Sequence, residues 1–232
     1  QFPLSVWQTG SGTHTNMNIN EVICNLASCK ECQPLGSHIP LHPNDDVNCS
    51  QSTNDVFPAA IQIATTKEIL HKLLPELDLL IKAFSKKSSD WNRIVKVGRT
   101  HLQDAVPLTL GQEVSAWHEQ LLKARERIEK SLIELYPLPL GGTAIGTGLN
   151  APNSFSNDIA HEIAKSTNLP FSSATNKFAI MASHDGLINN MSQLKMLAIS
   201  LLKIVNDIRF LSCGPRTGIS ELELPENEPG SS

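Results

Sequence analysis

Glycine and hydroxyl residues crowd the loop "QTGSGTHTNMN" at residues 8–18. Glycines lie on both sides of Ser11, so backbone N–H groups there can turn toward an anion, and the hydroxyls of Ser11 and Thr13 add donors. The composition of this loop therefore suits an anion. The alternative is the capped start of a helix over Asn18–Ala27, which needs no ligand.

A second polar stretch, "HPNDDVNCSQSTNDVFP" at residues 42–58, leads into a predicted long helix. Ser52, Thr53 and Asn54 stand at its N-terminus, where exposed amides and the helix dipole favour a carboxylate or a phosphate. Plain N-capping is the alternative, and it needs only one of these residues.

A histidine occurs in the third stretch, "GRTHLQDAVPLTLGQE" at residues 98–113. We predict that Thr100 and His101 lie in a loop just ahead of a helix. Polar neighbours, among them Arg99 and Asp104, could set the protonation of the imidazole. From the local sequence alone, a structural histidine is the more frequent outcome.

The fourth stretch is "PENEPGSS" at residues 225–232, which ends in Ser231 and Ser232. A serine acts as a base or nucleophile only if its pKa is lowered or a neighbouring base activates it. This stretch supplies only backbone amides for that purpose. Any activating group must therefore lie elsewhere.

The sequence gives little indication of a metal or dinucleotide site. The loop "LGGTAIGTGLN" at residues 140–150 has the wrong glycine spacing for a dinucleotide loop, and we predict no strand before it, so we interpret it as a tight turn between helices. The five cysteines include a lone C-x-x-C at Cys29 and Cys32 without a second ligand pair, which favours ordinary reduced thiols. The histidines within helical patterns lack a second ligand four residues on: His71, His118 and His161.

Composition excludes several further classes of function. Nineteen Lys and Arg against 23 Asp and Glu give a net charge of −4, and no basic run carries interleaved aromatic residues, so a nucleic-acid surface has little support. No stretch of about 18 apolar residues is present, and the first residues, "QFPLSVWQTG", lack the features of a signal peptide. We expect a globular chain that forms one large domain or parts of two.

Apolar periodicity predicts that this chain is all-α. Apolar residues three and four apart run through Ile61–Phe84, Thr109–Leu135 and Leu187–Ile208, and shorter helices are predicted over Asn18–Ala27 and Ser154–Ser166. No run of alternating β-branched residues has convincing strand length.

The last long helix carries two neighbouring apolar rows. The first row alternates steps of four and three residues: Leu187, Met191, Leu194, Ala198, Leu201, Val205 and Ile208. The second row lies beside it: Leu197, Ile204 and Leu211. So wide a stripe predicts burial among several helices, including those of other subunits, with a single monomeric bundle as the alternative.

Taken in order, "TGSGT", "HPNDDVN", "QSTNDVFP", "GRTHLQDAVPLTLGQE", "GGTAIGTGLN" and "GPRTGISELELPENEPGSS" resemble the class II fumarases of the fumarase/aspartase superfamily. The resemblance spans nearly the whole chain. It implies an all-α fold with a bundle of long helices, in which residues 1–49 belong to an N-terminal helical domain and residues 50–232 to an incomplete central bundle domain. The family signature continues past Ser232 with Met-Pro-Gly-Lys-Val-Asn, so we expect a fragment that ends inside the signature loop and lacks the C-terminal domain.

The resemblance implies reversible hydration of fumarate to L-malate. His101 would hold the water or assist proton transfer at the hydroxyl, and Ser231 would remove the C3 proton of malate. The residues implied to bind the substrate are Ser11, Gly12, Thr13, Ser52, Thr53, Asn54, Thr100 and Ser232. His42, Asn44 and Asp45 match a secondary anion site of the family.

The resemblance also implies a homotetramer in which loops of three subunits build each active site. It implies fumarate and L-malate as ligands, neither a metal nor an organic cofactor, no nucleic acid and no membrane. The implied location is the cytoplasm, or the mitochondrial matrix in a eukaryote. Residues 1–232 alone are expected to be inactive, since the lysine and asparagine of the signature follow Ser232.

Two alternatives stay open. Aspartate ammonia-lyase shares the fold and much of the signature, but His101, Ser11 and "PENEPGSS" favour fumarase, whereas Thr53 is the residue less usual in fumarases. The other alternative is a protein without catalytic activity, either an inactive relative or an inert fragment.

Overall fold

The chain is mostly helical in its computed structural model. The structure describes Phe2, residues 4–226, Glu228 and Pro229. The predicted all-α fold class is confirmed. The α-helices of the described residues are α1 (Thr13–Lys30), α2 (Thr53–Glu68), α3 (Leu74–Asp90), α4 (Leu110–Ser131), α5 (Phe155–Thr167), α6 (Lys177–Ala182) and α7 (Asp185–Leu211). Short π-helical segments cover Pro43–Val47 and Ile69–Leu73, and a 3-10 turn covers Leu132–Leu135.

The predicted helices all have counterparts. The pattern over Ile61–Phe84 corresponds to α2, the π-helical segment after it and α3. Pro75 lies in the first turn of α3, directly after the π-helical segment Ile69–Leu73. The pattern over Thr109–Leu135 corresponds to α4 with its 3-10 turn.

The chain forms two compact units, which are described separately. Unit 1 consists of residues 1–69 and 132–188. Its core combines four buried residues with partly buried apolar side chains around them: Ala59, Leu138, Leu140 and Phe171, packed against Val56, Ile63, Tyr136, Ile159, Ile163, Ala164 and Leu169. Strands β3 (Pro137–Leu138) and β4 (Ser172–Ser173) pair in parallel beside this core. The domain division at residues 49 and 50 stays a prediction.

Unit 2 consists of residues 70–131 and 189–232, and α3 packs along α4 in it. The buried row of α4 repeats in steps of three and four: Leu110, Val114, Trp117, Leu121, Ala124 and Ile128. Phe84 of α3 meets the Trp117 ring edge-on at 5.8 Å between centroids. The indole N–H of Trp117 donates to the Asp207 carboxylate of α7 at 3.0 Å. The polar group of this buried ring therefore has a hydrogen-bond partner.

The row that α7 buries differs from the main row predicted. The buried residues are seven apart, Asn190, Leu197, Ile204 and Leu211, whereas Met191 of the predicted main row is 64% exposed. A helix with several apolar rows can bury only one of them against the helices of a single chain, and here it buries the second. Among the described residues, α7 included, we find no helix that is long and apolar enough to cross a membrane.

Two strands form a hairpin where we predicted a loop. β1 (Val95–Thr100) and β2 (Gln103–Thr109) pair antiparallel, with a register shift between Val97 and Arg99. Gly98 lies at this shift, and a Cβ there would be 2.4 Å from the carbonyl oxygen of Val106. Because glycine and Pro107 interrupt the β-branched alternation, the sequence pattern did not reveal the strands.

We expect Leu121→Ala to lower the free energy of unfolding by about 2–5 kcal/mol, because its side chain is fully buried and a cavity would remain. Leu35→Ala is the matched control, since Leu35 is 69% exposed. Urea unfolding followed by circular dichroism measures both. Equal losses for the two variants would contradict this assignment of the core.

Candidate functional site

The "SGT" loop ends at the N-terminus of α1. Gly12 is the N-cap with φ 77°, and no side chain caps the first turn from that position. A Cβ on Gly12 would lie 2.3 Å from the Phe57 ring, so only glycine permits this approach of the loop to α2. The hydroxyls of Ser11 and Thr13 are in exposed residues. A helix therefore starts at this loop, as the alternative to an anion site predicted. Its N-cap residue is Gly12, so no side chain caps the first turn.

The "STN" residues form the first turn of α2. The Ser52 hydroxyl accepts from the Asn54 amide at 3.1 Å, and the Asp55 carboxylate accepts from the Ser52 amide at 3.0 Å, which makes a capping box. The side-chain amide of Asn54 donates to the carbonyl of Ala144 at 2.8 Å. The capping alternative therefore describes Ser52, whereas Thr53 and Asn54 have other partners.

A cluster of asparagines joins the two helix N-termini. The buried Asn16 of α1 donates its side-chain amide to Thr53 Oγ1 at 3.2 Å and to Asn48 Oδ1 at 3.3 Å. Asn20, one turn later, donates to the same Asn48 oxygen at 3.1 Å. Sequence reasoning missed this cluster, although two asparagines four residues apart inside a helix were its signal.

Asp55 is a buried charged residue of unit 1. Its carboxylate is fully buried, and it also accepts from the backbone N–H groups of Gly141 and Thr143, both at 3.0 Å. The glycine-rich loop thus turns its amides to a carboxylate of its own chain. The expectation of no strand before this loop was wrong, since β3 precedes it. The sequence did not single out Asp55, because an aspartate after "STN" also fits a surface cap.

Lys177, whose charge interacts with this carboxylate, is partly buried. Lys177 Nζ donates to the carbonyl of Leu138 at 2.9 Å and to Ser173 Oγ at 2.8 Å. Burial lowers the pKa of Lys177 to about 8, and the charge of Asp55 opposes this change. Burial also raises the pKa of Asp55, although hydrogen bonds from backbone amides act in the opposite direction.

The "HPND" residues form the π-helical segment Pro43–Val47 and its cap. Nδ1 of His42 accepts from the backbone amides of Asn44 and Asp45 at 3.3 and 3.2 Å. An Nδ1 that accepts places the proton of a neutral imidazole on Nε2. Asn44 and Asp45 are exposed.

Thr100 and His101 lie at the tip of the hairpin in unit 2. His101 and Leu102 both have positive φ, 51° and 63°, as a two-residue type I′ turn requires. His101 lines a cavity of about 440 Å³ together with Lys96 and Arg99 of β1. Arg99, predicted as a partner of the imidazole, donates instead to Glu221 at 2.7 Å.

The candidate residues thus fall into separate groups. Gly12 approaches Phe57 of α2, and Asn16 donates to Thr53, so the first turns of α1 and α2 lie together within unit 1, whereas Thr100 and His101 belong to unit 2. Ser231 and Ser232 lie outside the described residues. In the described part of the chain, there is no group of three or more His, Cys, Asp or Glu that could hold a metal ion.

Comparisons with known proteins agree with one another. A family described as "Lyase" matches residues 1–232. A class II fumarate hydratase of Prochlorococcus marinus is 75% identical over 232 residues, which are all of this chain and 50% of that protein. One of Thermosynechococcus vestitus is 54% identical over the same length, again 50% of that protein.

A solved structure gives the same result. The crystal structure of recombinant class II fumarase from Schistosoma mansoni has a TM-score of 0.95 and 41% identity, covering 99% of this chain and 51% of that one. The chain therefore spans about half the length of the curated relatives that it matches.

We expect Asp55→Asn to lower the free energy of unfolding by about 2–4 kcal/mol, because a side-chain N–H group would replace an oxygen that accepts from backbone donors. Asp158→Asn, on the exposed first turn of α5, should change it by less than about 0.5 kcal/mol. Thermal and urea unfolding measure both variants. A loss in Asp55→Asn no larger than in the control would show that the carboxylate does not hold the loop.

The Lys177 amine should titrate near pH 8 in NMR spectra of carbon-13-labelled lysine, and Asp55→Asn should lower that pKa further, because burial persists while the opposing charge is gone. Since the folded pKa lies below the ordinary value, this lysine destabilises the fold fully below about pH 8, and the effect disappears as the pH rises through 10.5. An unchanged or higher pKa of Lys177 in Asp55→Asn would contradict the coupling. Asp158→Asn should leave it unchanged.

Proposed function

Since the chain belongs to this lyase family, we propose that the protein containing it is a class II fumarate hydratase, which reversibly adds water to fumarate to give L-malate. The observation that carries the proposal is the pair of helix N-termini, α1 and α2, which the Asn16–Thr53 hydrogen bond holds side by side. Exposed hydroxyls of the "SGT" loop stand at the first of them. Two such N-termini favour a dicarboxylate, because amides and helix dipoles attract negative charge.

The chemistry needs donors that are already aimed at developing charge. Removing the C3 proton of malate puts negative charge on the adjacent carboxylate, and oriented N–H and O–H groups stabilise it in the transition state. In our proposal, Ser231 takes this proton, and the hydroxyl leaves C2 as water with a proton that His101 helps to supply. Thr100, Ser232 and the residues of the two helix N-termini bind the carboxylates.

We assign His42, Asn44 and Asp45 to a secondary anion site. Because Nδ1 of His42 is engaged by backbone amides, the Nε2–H group is the one that can donate to an anion.

We further propose a homotetramer with active sites shared between subunits. The apolar residues of α7 that remain exposed support it, since a helix bundle between subunits would cover them: Ile188, Met191, Ile199, Leu202 and Val205. A cytoplasmic location also remains part of the proposal and rests on the sequence resemblance.

Aspartate ammonia-lyase is the alternative from the same superfamily. His101, Ser11 and the "PENEPGSS" stretch favour the hydratase. The complete gene product that contains this sequence should form fumarate from L-malate and not from L-aspartate. Release of ammonia from aspartate would reverse this choice. We expect residues 1–232 alone to show no hydratase activity above background.

In the complete gene product, His101→Asn should lower kcat by about 10²–10⁴-fold, the usual contribution of a positioned proton-transfer group. Asparagine tolerates positive φ, so the hairpin turn should persist. His161→Asn, on the exposed face of α5, is the control and should keep kcat within about twofold of the unchanged protein. Ultraviolet absorbance of fumarate measures the rates, and a fully active His101→Asn variant would remove His101 from the mechanism.

A further inference from the structure

The segment after α7 folds back on the end of that helix. The carbonyl of Leu211 accepts from the backbone amides of Glu221 and Leu222 at 2.8 and 3.1 Å. Gly218 passes so close to Cys213 that a Cβ would lie 2.3 Å from its carbonyl group. These contacts fix the backbone around Glu221, which precedes the "PENEPGSS" stretch.

The Glu221 side chain connects this segment to the hairpin. Its Oε1 accepts from Arg99 Nη2 at 2.7 Å, and its Oε2 forms an ion pair with Lys96. Lys96 also pairs with Glu113 of α4. The side chains of Lys96 and Glu221 are only 8% and 19% exposed, so water screens their interaction little. Two cations and two anions make the cluster neutral.

The charges determine the ionisation of the carboxylate. Burial alone raises the pKa of Glu221, but hydrogen bonds and charges of Arg99 and Lys96 outweigh burial and hold that pKa below its usual range. Glu221 is therefore an anion at neutral pH. Replacing it by a neutral group leaves Lys96 with Glu113 as its ion-pair partner and removes the carboxylate that accepts from Arg99.

Both cations belong to the strand that ends in the proposed catalytic tip. Lys96 and Arg99 flank the register shift of β1, and Arg99 directly precedes Thr100. Lys96, Arg99 and His101 also line the same cavity of about 440 Å³. An anion that holds Lys96 and Arg99 thus restrains the strand on which His101 is carried.

We propose that Glu221 is a positioning residue, which ties the hairpin carrying His101 to the segment that leads to Ser231. The proposal rests on the proposed function, since His101 and Ser231 are its two proton-transfer groups. Misplacing a catalytic group by about 1 Å can cost about 10²-fold in rate, so one ion pair at this point is sufficient to matter.

The test compares Glu221→Gln with Glu223→Gln in the complete gene product. The first substitution keeps the size of the side chain and removes its charge, whereas Glu223 is exposed and lies two residues on. We expect Glu221→Gln to lower kcat per folded active site about 10–100-fold with KM within about twofold, and Glu223→Gln to behave as the unchanged protein. Active sites are counted by binding of succinate, a dicarboxylate that cannot react.

Hydrogen exchange, measured far below the melting temperature, supplies the second readout. We expect amides of residues 95–109 to exchange faster in Glu221→Gln, while those of α4 stay protected. The inference is overturned if kcat per site is unchanged, if only KM rises, or if activity falls solely with the folded fraction. Absence of hydratase activity in the unchanged protein would defeat the proposed function instead, and exchange in the hairpin would then still decide whether Glu221 restrains it.

Discussion

The buried Asp55 carboxylate is the interaction on which unit 1 depends. A carboxylate without water is unstable unless N–H groups surround it, and here the backbone of α2 and of the glycine-rich loop supplies them. The loop amides depend on the carboxylate in turn, because a buried N–H group needs an acceptor. One side chain therefore fixes the start of α2 and the path of a loop far away in the sequence.

Unit 2 holds a partly buried carboxylate, that of Glu221, in a different way. Glu221 is held by two cationic side chains rather than by backbone amides, so its partners lie on long, rotatable chains. A cluster of this kind depends on charge balance, whereas the Asp55 arrangement depends on backbone geometry. Removing a single charge is enough to alter the Glu221 cluster. The Asp55 arrangement is altered when one acceptor atom is exchanged for a donor.

Helix positions followed from the sequence because the 3.6-residue period of α3, α4 and α7 repeats over several turns. The buried row of α7 did not follow, since periodicity identifies apolar rows but not the neighbour that covers each one. The hairpin was missed because Gly98 and Pro107 interrupt its alternation. The loops of Ser11, Thr13, Ser52 and Thr53 made these residues candidates, a prediction that still stands, but the sequence did not point to the residues that hold those loops, such as Asp55 and Asn16, because their burial depends on distant contacts.

The hairpin tip has a consequence for how this protein can change during evolution. His101 and Leu102 adopt left-handed backbone angles that disfavour most side chains by about 1 kcal/mol or more each, and that glycine or asparagine adopt more easily. Substitutions at His101 that relax the turn would therefore add stability while removing the imidazole. Under the proposed function, selection for a more stable fold and selection for proton transfer therefore oppose each other at this position. At Leu102 the two selections do not conflict, because no role in proton transfer is proposed for its side chain. Replacing Leu102 by glycine or asparagine would therefore stabilise the turn at no cost to the proposed chemistry.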